Sequence, residues 1–401
     1  MSLFEPTQEA AQARLAAVDA AAYDRTRNAL DGAVTRLSPY LTHGLLSLRE
    51  VYSAVHARHP LNAQHKFVFE LGWRAYWRHV WLHLGDGVHQ SIHQGLLPDS
   101  AYQPCMPADV LQARTGVPVI DVAVRELYAT GYLHNHARMW LASYVVHLRK
   151  VHWHAGAQWM LGHLLDGDVA SNHLSWQWVA GTGSTKPYLF NADNVVKYAP
   201  TPWHSPATAI DTSYEALEKV AHSAQDTLHP TPVLHADAGV EPPALLASPP
   251  GGCWAKPNSA LAAGRDVWLV HPWSLGAAPP SINPQALAQK QLVIAIGLPQ
   301  SHAPTPWSAL RWRFVTDGLR AQTLPLWWAS VEEIAVALST ARSVQWQPDA
   351  HINAALQELH VLLQAQPNNP LVIPHAKPCL FEPVQPYCKS FSQWWRQTKI
   401  A

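Results

Sequence analysis

The chain has 401 residues, 48% hydrophobic and 14% charged, enough apolar material for one large or two ordinary cores, which excludes disorder or a fibrous repeat as its main state. Lys and Arg number 28, as do Asp and Glu, so no net field at neutral pH draws the whole molecule to nucleic acid or a membrane, and any polyanion site must be local. The start lacks the basic residues and apolar run of a secretory signal, and no stretch reaches the ~18 uninterrupted apolar residues of a membrane span, so a soluble, cytoplasmic protein without membrane contact is expected.

Thr7 to about Leu30 is Ala- and Gln-rich and reads as helix, and further helices are expected around residues 45–58, 64–84, 118–130, 133–151 and 154–165, with Leu41 to Val55 read as one helical segment. An all-helical domain over residues 1–200 follows from this pattern. Residues 201–260 collect Pro200, Pro202, Pro206, Pro230, Pro232, Pro242, Pro243, Pro249, Pro250 and Pro257 at or beside them, the composition of an extended linker with one short helix between Asp211 and Ser223. From 261 to 401, short apolar runs alternate with helical stretches. Asp266–His271, Gln291–Gly297, Leu324–Trp328, Ser343–Trp346 and Leu371–Ile373 read as buried strands, and residues 308–321, 330–341 and 349–364 as helices. That order argues a small doubly wound parallel sheet, and the fold class is therefore mostly α with a second α/β domain.

Four stretches of the helical half combine unusual residues. Thr35 and Ser38 stand at a helix start, where hydroxyls and free N–H groups suit either a phosphate or an ordinary cap followed by Pro39. Glu70, Trp73, Arg74 and Trp77 fall on one helical face, where a charged pair beside two indoles suits either a paired core or a cleft. Asn135, Arg138 and Met139 share a helix with His134 and His136, which miss the i, i+4 spacing of a metal pair. Asp168, Asn172 and Trp176 are successive i+4 neighbours if the chain is helical beyond Asp168. Asp166-Gly167-Asp168 lacks the 12-residue calcium pattern, and the four cysteines form no C-x-x-C pair, so neither a metal nor a disulfide framework is expected.

Together and in this order, these stretches resemble the FAD-binding helical domain of the photolyase/cryptochrome family. The resemblance rests on Thr35-Arg-Leu-Ser-Pro-Tyr-Leu41, Glu70-Leu-Gly-Trp-Arg74, Arg114-Thr-Gly116 with Asp121, Gly131-Tyr-Leu-His-Asn-His-Ala-Arg-Met139 and Asp166-Gly-Asp168 through Trp176-Gln-Trp178. It implies a folded-over FAD, with Tyr23, Thr35, Arg36, Leu37 and Ser38 around the phosphates and Arg74 closing that side. It implies an Arg138–Asp166 pair beside the flavin ring, Gly167 and Asp168 at the ring edge and ribose, and Asn172 facing the flavin nitrogen N5. Trp176 and Trp153 resemble the proximal and middle members of an electron-transfer chain; the distal tryptophan is missing between Gln94 and Arg114, where Tyr102 is the nearest substitute.

The resemblance extends to a lesion pocket in which Glu70, Trp73, Asn135, Met139 and Trp178 would receive a flipped-out cyclobutane pyrimidine dimer, with Trp73 and Trp178 sandwiching the bases. His136 stands where DNA-binding members carry Arg, and residues 1–200 hold 16 Lys and Arg against 15 Asp and Glu, so attraction to DNA would rest on local clusters or protonated His. The function implied is light-driven dimer repair; the alternative is a blue-light photoreceptor of cryptochrome type with a protein signalling partner. Asp266–Leu275, Cys379–Pro383 and Ser390–Arg396 resemble parts of the family's α/β antenna domain, which ordinarily precedes the FAD domain. Here it would follow it, in permuted order, with the identity of any second antenna chromophore left open.

Overall fold

The computed structural model describes residues 3–224, 239–276 and 291–401; the expected linker prolines Pro230 and Pro232 lie outside them. In chain order the first helices are α1 (Gln8–Ala16), α2 (Ala20–Thr26), α3 (Ser38–Thr42), α4 (Leu48–Arg58), α5 (Lys66–Leu84), α6 (Ala108–Leu111), α7 (Pro118–Thr130), α8 (Asn135–Ser143), α9 (Trp153–His163), α10 (Val169–Ala180), α11 (Ala192–Tyr198) and α12 (Tyr214–Ala221). Their ends follow local chemistry. Thr7, Asp19, Asp168, Asn191 and Ser213 cap α1, α2, α10, α11 and α12 through side-chain oxygens. Pro118 opens α7, and Gly131 and Gly181 close α7 and α10 in the left-handed region.

Three expected helices are broken. Thr7–Leu30 pauses between Ala16 and Ala20, where Asp19 caps α2. The Leu41–Val55 segment splits because Gly44 takes φ +72, and a Cβ there would lie 2.7 Å from the Trp273 carbonyl oxygen. The next helix starts afresh where Ser47 and Glu50 cap each other's backbone N–H, at 3.1 and 2.6 Å. The 133–151 stretch ends as α8 at Ser143, widens into a π turn over Tyr144–Leu148, and stops at Lys150 with φ +51. Lys150 is buried, and its ammonium donates to the carbonyls of His147 (2.7 Å), Val220 (2.7 Å) and Ala221 (3.1 Å), the last two at the carbonyl end of α12.

The helical unit comprises residues 18–36, 55–244 and 381–401. Its core gathers Val124, Leu127, Leu133, Trp140, Leu141, Val145, Trp153, Met160 and Trp176, all at or near zero exposure. The C-terminal Phe391–Trp395 helix packs on α5, where Trp395 lies 4.7 Å from Phe69 and fits the space left by Gly72.

The α/β unit comprises residues 1–17, 37–54 and 245–380. Its strands are β1 (Leu245–Leu246), β2 (Asp266–Val270), β3 (Gln291–Gly297), β4 (Trp307–Ser308), β5 (Leu326–Trp328), β6 (Ser343–Trp346) and β7 (Leu371–Pro374). β2, β3, β5, β6 and β7 form a parallel sheet in the order β5-β3-β2-β6-β7, the doubly wound arrangement expected from the apolar runs. β1 and β4 pair separately and antiparallel. Beyond the carboxyl end of β2, the Trp273 ring is stacked between His302 (5.4 Å) and His351 (4.9 Å), so rings fill this part of the crevice.

These units differ from the expected segments 1–200, 201–260 and 261–401. Phe4 and Tyr40 make one ring cluster with Phe314, which carries residues 1–17 and 37–54 into the α/β unit. Where described, the expected linker is mostly irregular and holds the one short helix expected, α12, in the helical unit, while β1 and Trp254, whose indole N–H donates to Thr316 Oγ1 at 3.1 Å, belong to the α/β unit. Among the described residues no helix is long and apolar enough to cross a membrane.

Candidate functional site

A buried polar group in the helical unit is built where α8 meets the turn before α10. Gly131 ends α7 with φ +66 and its carbonyl accepts from the Leu165 N–H at 2.8 Å, so the turn that follows Leu164 is pinned to the start of the α8 segment. Arg138 then donates from Nη2 to both oxygens of Asp166, at 3.0 and 2.8 Å, and from Nε to the Leu133 carbonyl at 2.9 Å. Asp166 is 5% exposed, and a carboxylate so buried needs the full charge of its partner. Tyr132 lies under the guanidinium at 5.5 Å, and burial pushes its hydroxyl up to about 12.

Two residues on, Asp168 caps α10, accepting from Ser171 N–H (3.0 Å) and Ser171 Oγ (2.6 Å), and meets Arg78 at 2.6 Å. The chain is helical beyond it, so Asp168, Asn172 and Trp176 do stand one turn apart. Asn172 is buried and donates from Nδ2 to the Ala157 carbonyl at 2.8 Å, joining α10 to α9. Trp176 packs against the bare Cα of Gly156, where a Cβ would come within 2.3 Å of the indole. Trp153 opens α9, is buried, and donates from Nε1 to Ser91 Oγ at 2.9 Å. His152 bridges it to Tyr102, at ring distances of 5.8 and 6.3 Å.

A second wall gathers Tyr23, Arg27, Glu70 and the first turn of α8. Arg27 Nε lies 3.6 Å from Glu70, and its carbonyl accepts from His134 Nε2 at 3.0 Å. His134 Nδ1 accepts the His136 N–H at 3.0 Å, and the His134, His136 and Tyr198 rings are stacked in sequence at 5.9 and 4.9 Å. Asn135 and Met139 are paired through Nδ2 and Sδ at 3.4 Å. Glu70 keeps 45% side-chain exposure, and desolvation raises its pKa while Arg27 opposes the shift. Desolvation raises Tyr23 as well, with Glu70 and Tyr132 adding to it and Arg27 opposing, which ties this wall to the Arg138–Asp166 group. Burial lowers His136 and holds His134 down to about 4, so neither supplies positive charge at neutral pH.

Arg36 acts electrostatically on Tyr132 and His134, and other expected residues fall in the other unit or are otherwise engaged. Thr35 and Arg36, the latter at φ +52, belong to the helical unit, whereas Leu37 and Ser38 open α3 in the α/β unit. Ser38 makes no capping bond as the serine cap would, because α3 begins at Ser38 itself, with Leu37 in the cap position. The two indoles expected to sandwich a substrate both have protein ring partners. Trp73 is stacked on Phe391 at 4.2 Å and 12°, and Trp178 leans on Tyr188 at 5.9 Å. Of the Glu70 face, Trp73 and Trp77 are in ring contact at 5.0 Å, while Glu70 turns to Arg27; Arg78, one turn beyond Arg74, takes Asp168. Arg27, Tyr132 and Arg78 were not singled out from sequence. Arg27 carries a usable signal, standing one helical turn after Tyr23, but nothing in the sequence distinguishes Arg78 from Arg74 as the partner of a carboxylate some ninety positions away.

Residues 67–202 match the family model described as the FAD binding domain of DNA photolyase. The chain is 36% identical over 168 residues to the deoxyribodipyrimidine photo-lyase of Streptomyces griseus, covering 39% of this chain and 34% of that protein. It is 34% identical over 209 residues to the corresponding protein of Synechococcus sp., covering 48% and 43%. Against cryptochrome DASH of Gloeobacter violaceus it is 34% identical over 171 residues, covering 40% and 34%. The matches thus span less than half the length of these relatives. Among solved structures, the Synechocystis sp. PCC6803 cryptochrome aligns with a TM-score of 0.44 at 30% identity, covering 49% of this chain and 44% of that one.

Proposed function

We propose that this chain, a member of the photolyase/cryptochrome family through its helical unit, is a light-driven flavoprotein that repairs cyclobutane pyrimidine dimers in DNA. The observation that carries the reading is the bidentate Arg138–Asp166 pair at the turn into α10, the helix that carries Asp168 and the buried Asn172. These groups fit a flavin: a fixed guanidinium–carboxylate pair offers planar polar partners, and Tyr23 and Tyr132 add aromatic faces with hydroxyls held protonated. When bound there, FAD supplies blue-light absorption and one-electron chemistry.

The side chains hold and orient. Asp166 neutralises Arg138 and fixes its plane; Asp168, bound by Arg78 and Ser171, anchors the start of α10, so that Asn172 is presented at a set height. Glu70 offers a carboxyl whose raised pKa favours a protonated, hydrogen-bond-donating form more than an exposed carboxylate would. Asn135 and Met139 stand one turn apart on α8, the helix that carries Arg138. Trp176 and Trp153, buried on adjacent helices, are the electron path to the surface, continued by His152 and Tyr102 in place of a distal indole.

The α/β unit is read as the antenna-like domain in permuted order, and the cytoplasm as the compartment, in keeping with four free cysteines. A second reading, a blue-light photoreceptor of cryptochrome type, draws on one specific observation: Trp73 and Trp178, the pair a dimer would need, are engaged by Phe391 and Tyr188, and His136 carries no charge. Illumination of the full-length protein with dimer-containing single- and double-stranded oligonucleotides separates the two. Loss of dimers under blue light and not in the dark supports repair; a flavin that photoreduces while the dimers persist supports the photoreceptor.

A further inference from the structure

Three histidines from separate elements converge beside α9 and α10. His89 ends the 3-10 turn Gly85–His89, His154 lies in the first turn of α9, and His173 follows Asn172 on α10; each puts a ring nitrogen within 4.8 Å of the other two. Ring centroids are 4.9 Å apart for His89–His173, 5.6 Å for His154–His173 and 5.7 Å for His89–His154. His173 is completely buried and the other two are half-buried.

Two of the ring nitrogens are short of partners. Nδ1 of His89 and Nε2 of His173 are buried without a hydrogen bond, while His154 Nε2 has only the Gln158 amide at 3.4 Å. His173 gives its other nitrogen to the Val169 carbonyl, which leaves Nε2 as an unprotonated lone pair. A second-sphere carbonyl on a ligating imidazole is the usual means of fixing its tautomer.

We propose that His89, His154 and His173 bind one divalent transition-metal ion, Zn²⁺, through three neutral imidazoles. Three nitrogen donors and no thiolate select a borderline metal over Ca²⁺ or Mg²⁺, and leave a fourth position for water. Nitrogens around one tetrahedral ion lie ~3.3 Å apart, so binding draws the rings together, and the half-buried imidazoles of His89 and His154 have the freedom to turn. The ion ties the Gly85–His89 turn to α9 and α10 directly beside Trp153, whose ring lies 5.5 Å from His154 and 6.0 Å from His173. The site went unnoticed in sequence because no two of its ligands share a helix turn. It rests on this geometry alone and is independent of the repair reading.

Metal-stripped full-length protein titrated with Co²⁺, as a spectroscopic probe for Zn²⁺, should develop visible d–d bands that saturate at one equivalent and are displaced by Zn²⁺. Zn²⁺ should raise the melting temperature, and His89→Gln with His154→Gln should remove both effects while far-UV circular dichroism stays unchanged. X-ray absorption of Zn²⁺-loaded wild-type protein checks the same point without any variant: about three imidazole nitrogens at about 2.0–2.1 Å support the site. Absence of a saturable one-equivalent Co²⁺ spectrum, full binding by the double variant, or a shell without imidazole overturns it.

Discussion

Asp166 and Asp168 stand two residues apart, are both buried, and meet different arginines: Arg138 takes Asp166 through two hydrogen bonds, and Arg78 takes Asp168. Asp166→Asn keeps the volume and removes the charge that offsets Arg138. It should lower unfolding free energy by about 2–3 kcal/mol in urea titration, less than a fully buried pair because Arg138 is 24% exposed, and should release flavin. Unchanged stability and flavin content would disconnect the pair from the cofactor. Glu70 gives a pH signature. Its pKa is raised by desolvation in the folded state, so the native protein binds its proton more tightly than the unfolded chain does. The associated stability is full below the ordinary carboxyl value of 4.5 and is lost as pH rises through the raised value. Glu70→Gln, which cannot ionise, should therefore gain on wild type as pH climbs from 4 to 7 in denaturant titrations; a gap that narrows contradicts the desolvation of Glu70. The α10 row was readable from its i+4 spacing, and the Arg138–Asp166 pair through the family resemblance that its runs carry. Arg78 was not, since its partner is fixed by how α5 and α10 cross.

Elements were legible where the chain punctuates itself: Pro118 and Gly131 bound α7, and Asp168 and Gly181 bound α10. They were misread where tertiary contacts override periodicity. Gly44 breaks a good helical pattern to let the Trp273 backbone approach, and the π turn after α8 positions Lys150 on the α12 carbonyls. Lys150→Met should thus cost about 2 kcal/mol, from carbonyls left without a donor, and should loosen α12 first in hydrogen exchange; protection equal to wild type along α12 would count against this anchor. Gly156→Ala is the sharper test of α9 against α10. A helical Gly→Ala change gains about 1 kcal/mol from propensity, yet the added Cβ would meet the Trp176 ring at 2.3 Å, an overpacking that costs about 1–3 kcal/mol. Net destabilisation with slower flavin photoreduction is expected; a more stable protein would mean that Trp176 has room to move.

At the scale of the molecule, neither compact unit is continuous in the chain. Residues 1–17 and 37–54 go with the α/β unit, and residues 381–401 with the helical one. Sequence separated an α half from an α/β half correctly, because hydrophobic period distinguishes strand from helix, but it assigned each half a single span. The returning segments carry helix-like or irregular patterns that say nothing of which core they join. Deleting residues 381–401 should expose α5 by removing Phe391, Trp394 and Trp395; truncating even one buried aromatic costs about 3–5 kcal/mol, a large part of a domain's stability. Limited proteolysis should then cut within α5, and resistance equal to the full chain would show that the helical unit does not depend on its tail. The most direct measurement of the whole account is the absorption spectrum of the purified full-length protein, before and during blue illumination with a reductant. A flavin spectrum near one equivalent per chain that bleaches in light is the result expected; a colourless protein that takes up no added FAD would contradict it.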